Sequence, residues 1–489
     1  MKRPPEGLGP VVALDRRAAR PMHLQLYDGY RQAILDGRLR PGQRLPSTRT
    51  LAEDLGISRI PVVMAFGQLL SEGYIESRVG AGSFVSSRLP DTPAPGRTPA
   101  VPTRRPGPRR LPPSTLTTRT EPWFALRGPF RLAQPAFDEF PIDLWTRIVA
   151  RHARRQSRRE MAYGDPMGSP ALREALAAHL HTFRSVSCSP EQIMIVSGSQ
   201  QALALAARAL LQPGDPAWLE EPGYPGARDA LRLAAARIVP VPVDRDGLDV
   251  SAGMARSPHA HAAFVTPSHH YPLGYIMSAA RRLQLLEWAR SRGAWVVEDD
   301  YDSEYRYGGE PLASLYGLDG DARVVYVGTF SKILFPALRV GYLVLPEDLV
   351  DRFRAVRDAM DLFPATLYQA ALAEFVREGH FARHLRRMRR VYAARRRALE
   401  EAISRELGPD APVVGDQTGY HLVVLLPARC RDVEIAAAAA RAGISVVPLS
   451  SCYVGRRSRA GLVLGFGSTQ PREMRAALRQ LDGIIRAHA

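Results

Sequence analysis

The stretch from Leu89 to Ser114 carries nine prolines and a single acid, Asp91, and shows no recurring apolar period. Proline removes the amide donor and fixes φ, so such a segment builds neither a helix nor a sheet ladder. It reads as an extended, cationic linker of polyproline II character. What lies on either side must therefore fold by itself. A chain of 489 residues has room for two or three domains. The reading is a tail over 1–21, a small domain over 22–88, the linker over 89–122, and a large domain over 123–489 whose last part, from roughly residue 390, forms a smaller lobe.

Composition narrows the function classes. The formal charge of +17 and pI near 10.2 suggest a polyanionic partner, although a bias toward arginine gives the same number. No apolar run reaches the ~18 residues of a membrane span. The start, Met1-Lys2-Arg3-Pro4-Pro5-Glu6, lacks the apolar core of a signal peptide. Cys188, Cys430 and Cys452 are too dispersed for a metal site or a disulfide framework. The expectation is a reduced, cytoplasmic protein.

In the small domain, helical spacing predicts one helix over residues 24–36 and two more opened by Ser47 and Ser58, with Gly56 between them and Gly73 as the last stop. Tyr74-Ile75-Glu76-Ser77 and Ser83-Phe84-Val85-Ser86 flank Val79-Gly80-Ala81-Gly82 as strand, turn and strand. Two helices joined by a tight turn and followed by a glycine-tipped hairpin make a winged helix-turn-helix pattern. In that arrangement the second helix enters the major groove and reads base edges with its N-terminal residues. Those residues here are Ser58, Arg59 and Ile60. Arg49 is placed for a phosphate or a guanine edge, and Arg78 with the Gly80 and Gly82 backbone for the minor groove or the phosphates. The plainer alternative is a helical subdomain with solvated arginines. The segments Leu45-Pro46-Ser47-Thr48-Arg49-Thr50-Leu51-Ala52, Leu55-Gly56-Ile57-Ser58-Arg59 and Leu69-Leu70-Ser71-Glu72-Gly73-Tyr74-Ile75 resemble the signature of the GntR winged-helix family. That resemblance implies binding to double-stranded promoter DNA. Pro61 stands where the family usually has threonine, which removes a hydroxyl and an N–H from the helix's first turn.

The large domain alternates short apolar runs with helical segments, which implies an α/β fold with a mostly parallel sheet covered on both faces. Strands are expected at residues 193–196, 217–219, 238–241, 262–265, 295–297, 324–327 and 340–345. Beyond Arg390 a long arginine-rich helix and strands at residues 421–425, 444–447 and 462–464 suggest an α+β lobe.

Lys332 stands out in this domain. Of 66 lysines and arginines, only Lys2 and Lys332 are lysines. Arginine stays protonated in proteins, whereas a lysine amine can lose its proton and attack a carbonyl. A lone internal lysine is either the residue of a composition bias or a Schiff-base amine. Its setting, Gly328-Thr329-Phe330-Ser331-Lys332, favours the second. Pyridoxal 5′-phosphate (PLP) needs such an amine, a carboxylate for its pyridine nitrogen, a phenol for its ring oxygen, an aromatic face and a phosphate cup. Asp299 lies past the end of the 295–297 strand, where open α/β sheets bind ligands. Tyr301 suits the ring oxygen and Tyr224 the ring face. Ser199 and Gln200, in Ser197-Gly198-Ser199-Gln200, open a helix and so offer a phosphate site. Thr329 and Ser331 add hydroxyls, and Arg339 a cation. Taken singly, each has a dull reading. Glu298-Asp299-Asp300 has the look of a solvated acidic cluster, and Tyr224 of a core residue.

Their order along the chain resembles fold-type I aminotransferases from about Phe130 to the C-terminus. Tyr163-Gly164-Asp165-Pro166-Met167-Gly168, Glu298-Asp299-Asp300-Tyr301-Asp302-Ser303-Glu304 and Gly328-Thr329-Phe330-Ser331-Lys332 carry the likeness. By this resemblance Lys332 forms the internal aldimine, and Tyr163 reaches the phosphate of the partner subunit's cofactor, which implies a homodimer. Together with the N-terminal module, the chain is similar to the MocR subfamily of GntR regulators, in which an aminotransferase-like domain is fused to a DNA reader. Subunits paired head to tail are implied by that resemblance. Thr266-Pro267-Ser268-His269-His270-Tyr271-Pro272 fits the subfamily except at His270, where glutamine is more usual. His270 is either a ring-side hydrogen-bonding group or an ordinary loop histidine. The strand Leu462-Val463-Leu464-Gly465-Phe466 lacks the arginine that usually grips a substrate carboxylate; Arg456, Arg457 and Arg459 lie just upstream, where surface exposure is the better expectation. The expected function is a PLP-dependent regulator that senses PLP or its adduct with an amino compound. The alternatives are a working aminotransferase with an accessory DNA-binding domain, or a regulator that performs half a transamination.

Overall fold

A computed structural model describes residues 12–89 and 127–488, with Leu116, apart from residues 13, 17, 79, 88, 159, 309–312, 320–322 and 416. Almost all of the proposed linker and most of the N-terminal tail lie outside the described residues. The chain divides into two compact units, Met1–Pro112 and Pro113–Ala489.

The first unit holds three helices, α1 (Met22–Leu35), α2 (Thr48–Asp54) and α3 (Arg59–Ser71), and an antiparallel hairpin of β1 (Ile75–Arg78) and β2 (Gly82–Val85). Leu26, Tyr30 and Ile34 of α1 meet Val62, Phe66 and Leu69 of α3 in one core that Ile75 and Val85 of the hairpin close. Ser47 caps α2 by accepting from the Thr50 amide at 3.1 Å. Ser58 occupies the cap position of α3, but its side chain makes no cap hydrogen bond. Gly56, at φ +59°, makes the tight turn between the helices.

The second unit is built on strands β3 (Ile193–Val196), β4 (Pro216–Glu221), β5 (Arg237–Asp244), β6 (Gly247–Leu248), β7 (Ala262–Val265), β8 (Trp295–Asp300), β9 (Val324–Thr329) and β10 (Gly341–Val344). Their order is β3-β10-β9-β8-β7-β4-β5-β6. Strands β9, β8, β7, β4 and β5 are parallel, and β10 runs against both its neighbours, so β3 points the same way as β9. Alternate residues go to opposite faces. Leu219, Phe264, Val297 and Val325 join the helix Ser199–Leu210 in one core, while Trp218, Ala263 and Val296 join Trp288 in another. Both faces are dry, which is why the strands read as unbroken apolar runs.

A second sheet, ordered β11-β12-β14-β13, forms from β11 (Val413–Val414), β12 (His421–Leu426), β13 (Val447–Pro448) and β14 (Ala460–Gly465), all pairs antiparallel. The arginine-rich helix runs from His380 to Glu406, so it begins ten residues before the Arg390 expected from the sequence. The early turns continue the amphipathic pattern, with Phe381, His384, Leu385 and Met388 buried. The strand expected at 444–447 shrinks to Val447–Pro448, because the Ile444 amide donates to the Ala439 carbonyl at the end of the preceding helix and the Ser445 amide to the Pro129 carbonyl.

Candidate cofactor site and nucleic-acid interface

Five loops leave the carboxyl ends of β3, β4, β7, β8 and β9 on the same edge of the sheet, the usual ligand edge of an open α/β sheet. They surround a cavity of about 230 Å³ lined by Ser199, Gln200, Tyr224, Asp299, Tyr301, Ser331, Lys332 and Arg339, all expected from the sequence. Thr266, Tyr271 and Asp302 also line it, and Tyr420 and His421 reach it from the start of the second sheet.

At one end, Gly198 precedes the helix Ser199–Leu210 at φ +92° with no side-chain cap, so the first amides of a 12-residue helix stay available. A Cβ at Gly198 would come within 3.1–3.3 Å of the Arg339 guanidinium, which hydrogen-bonds the Ser197 carbonyl. A bare backbone, a helix start and a guanidinium make an anion cup. Gln200 donates to the Gly226 carbonyl at 2.9 Å, and its Oε1 lies 3.5 Å from the Tyr224 hydroxyl. Tyr224 meets Tyr271 edge to face, with ring centroids 5.5 Å apart.

At the other end, Asp299 sits at the tip of β8, buried, and its Oδ1 has no hydrogen-bond partner among the described residues. Burial lifts its carboxyl to about 7; Asp300 pushes the same way and Lys332 opposes them. The Tyr301 hydroxyl lies 3.1 Å from His269 Nδ1, which is also 2.7 Å from Asp302 Oδ1. Burial pushes His269 down and Asp302 up, in each case against the charged form. His421 stacks near His269, at 4.7 Å between centroids, and donates to the Pro272 carbonyl at 3.0 Å. An unpaired carboxylate oxygen facing a cavity that holds an amine, with the Ser331 Oγ also unpartnered among the described residues, is what a protonated pyridine ring with a phosphate tail requires. The residues fit PLP.

Three expected site residues lie elsewhere. His270 is buried and does not line the cavity, with Nε2 3.0 Å from the Pro222 carbonyl and Nδ1 accepting from the Leu273 amide at 3.3 Å. It braces its loop. Thr329 is buried and accepts from the Ser331 amide at 3.2 Å, so it orders the segment before Lys332. Tyr163 stands 84% exposed against Phe363. The acidic cluster is not solvated: Glu298, Asp299, Asp300 and Asp302 are all buried. Asp300 pairs with Arg184 and accepts from the Tyr326 hydroxyl at 2.7 Å, and Glu298 accepts from the Leu315 and Tyr316 amides at 3.0 Å. Arg457 lies 3.6 Å from Asp432 and Arg459 donates to the Tyr275 hydroxyl at 3.0 Å; neither lines the cavity. The sequence reading missed Tyr271, although it sits inside a motif already singled out. It also missed Tyr420 and His421, which no local motif marks.

In the small unit Arg49, Ser58, Arg59, Ile60, Arg78, Gly80 and Gly82 are all exposed. Arg59 Nε donates to Thr48 Oγ1 at 3.0 Å, tying the starts of α2 and α3 together. Arg78 pairs with Glu76 at 2.7 Å and lies over the Phe84 ring at 4.6 Å, so part of its charge is already met.

Residues 23–85 match the family of bacterial regulatory proteins, gntR family, and residues 135–478 match aminotransferase class I and II. The chain is 41% identical over 485 residues to the probable rhizopine catabolism regulatory protein MocR of Rhizobium meliloti, spanning 98% of this chain and 96% of that one. It is 31% identical to the HTH-type pyridoxine biosynthesis transcriptional regulator PdxR of Corynebacterium glutamicum, over 97% and 98% of the two chains. Among solved structures it is similar to LysN, an α-aminoadipate aminotransferase of Thermus thermophilus complexed with N-(5'-phosphopyridoxyl)-L-leucine. There the TM-score is 0.69 and the identity 28%, covering 75% of this chain and 93% of that one.

Proposed function

The chain belongs to the MocR-type gntR-family regulators, PLP-dependent regulators of transcription, and from that premise we propose how its two units divide the work. Residues 22–88 read promoter DNA, and residues 123–489 sense PLP, alone or joined to an amine. Lys332 supplies the anchoring amine. Asp299 holds the pyridine nitrogen protonated, Tyr301 meets the ring oxygen, and Tyr224 covers a ring face. Ser199, Gln200, Ser331 and Arg339 hold the phosphate, with Tyr163 of a second copy completing the cup in a homodimer. When bound, PLP supplies an aldehyde that captures amines and a ring that draws off electrons. His269 and Asp302 position the Tyr301 hydroxyl.

The observation that carries this reading is the buried Asp299 Oδ1, unpartnered among the described residues and facing the cavity that Lys332 lines. A carboxylate left so costs on the order of a few kcal/mol unless a ligand meets it. PLP itself is the favoured effector, because the cofactor groups are gathered while none of Arg456, Arg457 and Arg459 lines the cavity. The controlled genes are then those of vitamin B6 supply or of an amino compound's metabolism. PLP acts as an effector only through different affinities for the DNA-competent and DNA-incompetent states. The test is a footprint on the gene's own upstream region with and without PLP; a footprint that PLP leaves unchanged in position and affinity defeats the sensing role. The enzyme reading draws support from the aminotransferase likeness of residues 135–478. Sustained turnover across amino donors and keto acids, without sequence-specific DNA protection, selects it instead.

A further inference from the structure

Helix α3 turns an apolar stripe outward. Val62, Ala65, Phe66 and Leu69 are buried in the small unit's core. The opposite face carries Ile60, Val63 and Met64, which are 69%, 47% and 50% exposed, followed by Gly67. These positions fall at i, i+3, i+4 and i+7, so they form one line along the helix. Glycine is a poor helix former, and a Cβ at Gly67 would meet nothing within 4 Å. Packing within the unit therefore does not demand glycine there, whereas a surface pressed closely against the helix would gain from it. Among the polar neighbours Gln68 donates to Glu72 at 3.0 Å and Arg59 Nε donates to Thr48, while Ser58 makes no cap hydrogen bond and lies ahead of the stripe. Arg59 opens the same helix and is tied to the start of α2, and Arg44, Arg49 and Arg78 are also exposed on this small unit, cations that suit a polyanion.

We propose that Ile60, Val63 and Met64 read the 5-methyl groups of thymines in the major groove of double-stranded DNA, while the surrounding arginines hold phosphates. This rests on the small unit being a DNA reader. The base edges that a polar side chain would select by paired hydrogen bonds have no such partner on this stripe, whereas the thymine methyl is the one apolar feature the major groove offers. Phosphate contacts fix the register and the stripe then sets the preference, so operators carry A·T pairs where α3 lies.

The experiment selects operators from a randomised duplex library with the full chain carrying PLP. Each thymine of the selected operator is then replaced by deoxyuridine, which deletes the methyl and leaves every hydrogen-bonding group in place. The expected result is a loss of about fourfold in affinity for each methyl contacted, at two or more positions. Val63→Ala and Met64→Ala, whose side chains are about half exposed and lie outside the core, should each erase the loss at one thymine. Equal binding of all uracil-substituted duplexes, with the selected sequence still preferred over a scrambled one, overturns methyl reading and leaves the DNA reader standing. A protein that enriches no sequence overturns both.

Discussion

In the small unit Arg49, Arg59, Ile60 and Arg78 stand at the surface, whereas in the large unit Glu220, Asp299, Asp302 and His269 are sealed from water. The first arrangement costs little to fold; its strength is set by salt. The second places polar groups where an unmet partner is expensive, so a ligand that meets them gains selectivity and couples to the protein's own stability. A surface reader suits a long, flexible polyanion met at many points. A buried reader suits a small molecule that must be told apart from close analogues.

The largest expected effect is at the buried site. Lys332→Ala should abolish the visible absorbance of protein incubated with PLP, and a retained band would sink the assignment. Next, Asp299→Asn should weaken PLP binding by about 1.5–3 kcal/mol, the size of a charge-assisted hydrogen bond, or roughly ten- to a hundredfold in Kd by titration. Unchanged affinity would remove the contrast between the units. At the surface, Arg59→Ala should lower operator affinity only modestly and reduce the salt slope by about one, as read from binding isotherms at several ionic strengths. The smallest effect concerns pH. Burial lifts Glu220 to about 8, Asp299 to about 7 and Asp302 to about 8. The folded chain thus keeps protons that the unfolded chain gives up near pH ~4. Below about 6.5 the buried His179, His269, His270 and His421, all pushed down by burial, act the opposite way, because the unfolded chain binds protons there that the folded chain refuses. The net fall in stability therefore runs from about pH 6.5 to about 8. The cofactor-free protein should melt on the order of 5 °C lower near pH 8 than near pH 6.5, and PLP at Asp299 should flatten that slope.

Much of this was legible in the sequence. The apolar runs gave the sheet because both its faces are covered, and the motifs around Ser199, Asp299 and Lys332 gave one cavity because their loops share the carboxyl edge of the strands. The legible part was local. Tyr420 and His421 enter the cavity from the start of β12, about ninety residues past Lys332, and only packing of the second sheet brings them there. The burial of Glu298, Asp300 and Asp302 was equally hidden. It depends on Arg184, Tyr326, His269 and the Leu315 and Tyr316 amides, partners scattered over more than a hundred residues. His270 stayed open between two readings for a related reason: its place in a motif said nothing of which way its ring would turn. The reverse held in α3, where the outward stripe follows directly from helical spacing once the core positions are known.

Tyr163 projects its ring into solvent from a chain that buries Tyr30, Tyr305, Tyr326 and Tyr392 almost completely. If a second copy covers that ring and draws its hydroxyl to the phosphate, cofactor retention and self-association become one equilibrium. Diluting the protein would then bleach it, and Tyr163→Phe would make the colour fade at a higher protein concentration.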